Sequence, residues 1–242
     1  MQIDSLALRM RLRTPMEAAD LGVRLCQSAA RQVYICYWAV GLPAVALSLA
    51  TFEIADWLPG LLIWWAKPWL DRTILFVLSR AAFGQPTALD DLWNAQRRVW
   101  WGHLLLSLTL RRLSPWRSFT QPVYQLEGLR LRPARKRVLQ IRRGKTSPAL
   151  LMTSAFATAE LVLALAALSL IFWLMPGELN PASLFSEHTS DFFGLLATGI
   201  YALVVLFLEP FYVAAGFAMY LNRRAQLEAW DIEQELRRAF PE

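Results

Sequence analysis

Charged residues are absent from Val33 to Phe52, a run of about twenty residues, which matches the length needed to cross roughly 30 Å of hydrocarbon. Two more long apolar runs, Pro148 to Met175 and Phe192 to Leu221, read the same way, the first with Glu160 inside it and the second with Glu209. A fourth, Trp57 to Gly84, carries Lys67, Pro68, Asp71 and Arg72 near its middle and is expected to be a proline-broken span. This pattern predicts an all-α, polytopic transmembrane helical bundle, a single integral membrane domain over 1–242 with four spans at 33–52, 57–84, 148–175 and 192–221.

Between and around those runs the period changes to that of surface helices. Thr14, Pro15 and Glu17 have the spacing of a capping box with proline in the first turn. Met16, Ala19, Val23, Cys26, Ala30 and Val33 then recur on one face, predicting an amphipathic helix over 14–32 that lies on the membrane. Thr87 and Asp90 suggest a second capping box, opening a short polar helix. Val99 to Leu110 holds only about twelve apolar residues, so the 87–110 region is expected to end in a re-entrant or interfacial helix. At the far end, Ala225, Ala229, Ile232, Leu236 and Ala239 line one face of an amphipathic helix over 225–240.

Charge orients the spans. From Arg111 to Lys145 there are eleven Lys or Arg residues and one acid, Glu127, whereas the turns at Glu53–Asp56 and 176–191 carry acids and no Lys or Arg. By the positive-inside rule the 111–145 segment and both termini are cytoplasmic, and the membrane is the bacterial inner membrane. Arg130, Arg132, Arg135, Lys136, Arg137, Arg142 and Arg143 are the candidates for contact with anionic lipid headgroups.

Composition supports this picture. The chain is 56% hydrophobic with eleven Trp and thirteen Phe, many of them near the ends of apolar runs. The net charge of +6 raises the question of nucleic acid, but with spans present it is assigned to topology and lipid, so membrane lipids are expected partners and nucleic acid is not. No cleaved signal peptide is expected, nor a disulfide between Cys26 and Cys36, which sit on or near the cytoplasmic side.

The ionisable groups inside apolar runs are where chemistry would lie. Lys67, Asp71, Arg72, Glu160 and Glu209 each cost several kcal/mol in hydrocarbon unless paired or hydrated. They serve either as ion pairs that fix helix register or as a polar pathway. Lys67 and Asp71, four apart, are expected to pair along their helix. The two halves also share an order of features: Lys67-Pro68 precedes Arg80, and Glu209-Pro210 precedes Arg223. If the halves are duplicates about an axis along the membrane normal, Lys67 and Glu209 lie at similar depth and can pair. His103 and His188 lack partners at ligand spacing, so no metal and no cofactor are expected. Phosphate loops, nucleophile elbows and zinc-helix motifs are absent from the sequence.

Several stretches carry a resemblance. Arg-Thr-Pro-Met-Glu-Ala-Ala-Asp-Leu-Gly (13–22), Lys-Pro-Trp-Leu-Asp-Arg (67–72), Leu-Ser-Arg-Ala-Ala-Phe-Gly (78–84), the stretch from Glu209-Pro210-Phe211 to Asn222-Arg223-Arg224, and Leu-Glu-Ala-Trp-Asp-Ile-Glu (227–233) resemble an uncharacterised group of proteobacterial inner-membrane proteins. More distantly, the proline-containing last span followed by an acidic Trp-Asp-Ile-Glu helix is similar to the membrane domain of some glycerophosphodiester phosphodiesterases. The catalytic domain of those enzymes has no counterpart here, so hydrolysis does not carry over. For partners, the resemblance implies MoxR-type AAA+ ATPases and the proteins associated with them, and other small membrane proteins. The expectation is a non-enzymatic membrane subunit or scaffold, with a small transporter or lipid-handling protein as the alternative and a lipid-modifying enzyme third.

Overall fold

The computed structural model describes residues 13–101, 114–174 and 187–228, and all regular structure within them is helical. Helices α1 (Pro15–Ser28), α2 (Ala30–Leu49), α3 (Leu58–Ala82) and α4 (Leu89–Asn94) lead into a π-helical turn, Arg97–Trp101. Then come α5 (Arg117–Gln125), α6 (Leu131–Arg142), α7 (Thr146–Leu174) and α8 (Glu187–Glu228). Among the described residues three helices are long and apolar enough to cross a membrane: α2, residues Thr146–Ile171 of α7 and residues Phe192–Glu228 of α8.

Helix α8 is the hub, packed by α1, α2, α3, α5, α6 and α7. Its centre is built of small residues, Ala214, Ala215, Gly216 and Ala218, all buried apart from their use as contact surface. Two glycines show how close the neighbours come. A Cβ at Gly22 of α1 would lie 2.2 Å from the Ala214 carbonyl oxygen, and one at Gly216 would lie 2.3 Å from Ser118 Oγ of α5. Helix α1 therefore rests on α8 through Ala18, Ala19, Gly22, Leu25 and Cys26, a face of small side chains at three- to four-residue spacing. The capping box forms as expected, Glu17 N–H donating to Thr14 Oγ1 (3.3 Å) and Thr14 N–H to Glu17 Oε2 (2.9 Å). Asn222 holds the start of this helix to the end of α8, accepting from Arg13 N–H (3.3 Å) and donating to the Arg13 carbonyl (2.9 Å).

Proline does not break the long helices. Both α3, with Pro68, and α8, with Pro210, run through without interruption. Pro210 has no N–H to give the carbonyl of Leu206, and its ring crowds that same carbonyl. Helix α2 supplies substitute donors: Trp38 Nε1–H reaches the Leu206 carbonyl (3.4 Å) and Tyr34 O–H the Phe207 carbonyl (2.8 Å). Side by side on α3, the Pro68 and Arg72 carbonyls accept from Gln121 (3.5 Å) and Gln125 (2.7 Å) of α5.

Other expectations need correction. The amphipathic N-terminal helix docks on α8 as well as facing outward, and it separates from α2 at Ala29, one non-helical residue at φ −103° and ψ 15°. The second cap sits one residue later than the sequence suggests. Ala88 N–H donates to Asp91 (3.0 Å), while Thr87 is buried with its N–H on Gln32 (3.3 Å). Within the 111–145 segment, Arg117 to Val123 of α5 are buried in the bundle, whereas of α6 Ala134 and Ile141 are buried. No boundary occurs at Leu221, since α8 continues to Glu228. Most of the 99–110 segment, the loop expected at 176–191 up to residue 186, and residues 229–240 of the expected C-terminal amphipathic helix lie outside the described residues.

Because backbone opposes backbone at Gly22, a larger residue there must push α1 off α8. Gly22→Leu is expected to lower the apparent Tm of the detergent-solubilised chain by the equivalent of about 1–3 kcal/mol. Gly60→Leu is the control, since a Cβ at Gly60 meets nothing within 4 Å. Equal melting of the two variants would rule out this contact.

Candidate functional site

Four helices bring five charged side chains to one place. Lys67 and Asp71, one turn apart on α3, are joined there by Arg117 of α5, Glu160 of α7 and Glu209 of α8. Lys67 Nζ lies 2.6 Å from Glu160 Oε2 and 2.9 Å from Glu209 Oε2. Arg117 Nε lies 2.8 Å from Asp71 Oδ2, and its Nη2 2.5 Å from Glu209 Oε1. Glu209 thus gives one oxygen to each cation and stands at the centre. Arg117 also packs over the Tyr212 ring, 5.3 Å from its centroid, one turn beyond Glu209.

The local sequence explains these positions. Glu209 and Gly216 are seven apart, so they share a face of α8 two turns apart. The missing side chain at Gly216 lets Ser118 approach, and Arg117 next to it is carried to Glu209. On α3, Lys67 and Asp71 share a face by their four-residue spacing, and that face is pressed onto α5 and α8. Four of the five side chains are 0 to 7% exposed, and Glu160 is 20% exposed. Bringing such groups out of water costs several kcal/mol each, recovered only when every charge meets an opposite one at close range.

Sequence reasoning named four of these five. It paired Lys67 with Asp71, whereas the structure gives Lys67 to the two glutamates and Asp71 to Arg117. The contact between Lys67 and Glu209 is present. Arg72 points elsewhere, with Nε donating to the Val99 carbonyl. Arg117 went unnoticed because it was read as part of the basic cytoplasmic segment. Its signal was isolation: in the stretch 113–126 it is the one charged residue, set among Ser118, Phe119, Thr120, Gln121, Pro122 and Val123, all buried.

No protein family, curated protein or solved structure matches the chain. Its function is therefore argued from its own residues.

A cavity of about 440 Å³ adjoins the network, with Lys67, Arg117, Glu160 and Glu209 at its polar end and Trp64, Phe156, Leu161, Ala164 and Leu208 along its apolar walls. Among the described residues no three His, Cys, Asp or Glu side chains are grouped to hold a metal ion. His103 lies outside the described residues.

The seven basic residues proposed for lipid contact divide by structure. Arg130, Arg132, Arg135, Lys136 and Arg143 are exposed. Arg137 is instead half-buried, in ion pairs with Glu127 (3.0 Å) and Glu228, the second of which also takes Arg224 (2.8 Å). It fastens α6 to the end of α8. Arg142 lies with its guanidinium 3.6 Å from the centroid of the Trp116 ring.

Removing one partner of a buried pair leaves an uncompensated charge, which is worse than removing both. Arg117→Met is expected to lose about 3–5 kcal/mol of stability, part of it regained in the double variant with Asp71→Asn. Arg132→Met should change stability by less than about 0.5 kcal/mol. Thermal unfolding in one detergent compares all three. Similar melting of the Arg117 and Arg132 variants would contradict a stabilising network.

Proposed function

We propose that this chain is a non-enzymatic, multi-pass subunit or scaffold of the bacterial inner membrane. In this reading α3 is a fourth span, and both termini and the basic helix α6 face the cytoplasm. One observation carries it: each of the five clustered charges meets an opposite charge on another helix, so the network serves to lock the helices together. At 25 residues α3 is about 37 Å long, enough to cross, and its charges reach partners on α5, α7 and α8 and so avoid lipid. The exposed Arg130, Arg132, Arg135, Lys136 and Arg143 favour anionic headgroups at the inner surface. The resemblance of the sequence points to membrane or AAA+ ATPase-associated partners. A second reading, a small transporter or lipid-handling protein, draws support from the cavity beside Lys67 and Glu160.

Topology can be read by single-cysteine labelling in intact cells and inverted vesicles. The native thiols offer little background, for Cys26 and Cys36 are buried and burial pushes the Cys26 thiol up to about 12, keeping it protonated at neutral pH. Asp56→Cys should label from the outside and Gln85→Cys from the inside. Labelling of both from one side would eliminate α3 as a span. For the role itself, mild extraction followed by mass spectrometry should recover stoichiometric protein partners, and recovery of the chain alone with one enriched lipid class would transfer support to the lipid-handling reading.

A further inference from the structure

We propose that the cavity between α3, α5, α7 and α8 binds an amphiphile whose head group bears a protonated amine. Glu160 receives the amine, and the tail lies along Phe156, Leu161, Ala164 and Leu208. The inference rests on the lipid-handling reading and names its ligand class.

Three observations converge. The volume of about 440 Å³ falls within the range of small-molecule sites, and apolar walls with a few polar groups at one end are what such sites use to orient a ligand. The way in is apolar: Leu161 and Trp64 line the cavity and are also 60% and 36% exposed on the outside of the bundle. A ligand entering past them comes from hydrocarbon and needs a tail. The third observation is charge. The five residues joined by ion pairs comprise three acids and two bases. Lys67 is shared by Glu160 and Glu209, and Arg117 by Asp71 and Glu209, so both cations are already engaged by carboxylates.

Of the three acids, Glu160 is the one set on the cavity wall with part of its surface open, and only its Oε2 is engaged by Lys67. An ammonium group placed there meets a carboxylate oxygen that Lys67 does not engage. A phosphate without an amine would add a further negative charge beside the Glu160 carboxylate in a site of low dielectric, where repulsion is strong. Arg72, the remaining cation at the middle of α3, does not line the cavity. Tyr201 and Tyr212 complete the wall with hydroxyls that can orient a head group.

The same amine chemistry is offered by a phospholipid such as phosphatidylethanolamine and by a single-chain alkylamine. The full chain in lipid nanodiscs is exposed to three photoreactive probes with matched tails: a phosphatidylethanolamine, a phosphatidylglycerol and a primary alkylamine. Crosslinks are mapped by peptide mass spectrometry. The expected result is labelling within 156–164 or 201–209 that is at least fivefold greater for an amine probe than for phosphatidylglycerol. Preference between the two amine probes identifies the source. Ala164→Trp, which fills the apolar half without touching the charges, should reduce that labelling about tenfold. Glu160→Gln should bring phosphatidylethanolamine and phosphatidylglycerol within twofold of each other.

Equal labelling by phosphatidylglycerol and the amine probes overturns the proposal, and this comparison needs no variant. So does undiminished labelling in Ala164→Trp, with Ala157→Phe as a second filler if the first misfolds. The topology and co-purification results are read separately. Unselective labelling with enriched lipid still co-purifying removes this site alone, whereas stoichiometric protein partners and no enriched lipid remove the lipid-handling reading itself.

Discussion

The fold depends on the free energy of a charge taken out of water. Lys67, Asp71, Arg117, Glu160 and Glu209 come from four helices, and none of them can sit where it does unless the other helices deliver their members. Apolar packing between helices is weakly directional, and lipid tails satisfy a leucine face as well as another helix does. Ion pairs have no such substitute in hydrocarbon. The network therefore sets which faces meet and at what height, and Glu209, with one oxygen for each cation, fixes α8 against α3 and α5 together.

Close approach makes that network possible. Gly216 admits α5 to the face of α8 that bears Glu209, and Gly22 admits α1 to the surface around Ala214. The prolines fit the same logic. Pro210 follows Glu209 directly and strips α8 of a backbone bond one turn before it, and α2 closes the gap with Tyr34 and Trp38. In the centre of the bundle, then, carbonyls freed by proline and buried side-chain charges both find partners on neighbouring helices.

Much of this was legible in the sequence. Long apolar runs marked α2, α7 and α8, and Thr14, Pro15 and Glu17 marked the start of α1, because hydrophobic length and capping are local properties. Mid-run charges marked Lys67, Asp71, Glu160 and Glu209. Arg117 was missed, since its neighbours in sequence suggest a basic surface and its burial follows from the absence of a Cβ at Gly216, nearly a hundred residues away. Pairing of Lys67 with Asp71 was the local choice, and it lost to long-range partners with better geometry. Proline was expected to interrupt α3 and does not, and the donors that stand in for the bond Pro210 removes from α8 lie on another helix, beyond the reach of any reading of the proline alone.

Separation along the chain also has a consequence for biosynthesis. Lys67 meets Glu160 93 residues later, and Arg117 meets Glu209 92 residues later. A ribosome working from the N-terminus releases α3 with its lysine and aspartate well before any of their partners in the network exists. The charges of α3 stay without these partners until α5, α7 and finally α8 have been made. The last long helix to be synthesised is the one that completes the network, so the order of translation ends where the assembly of the core begins.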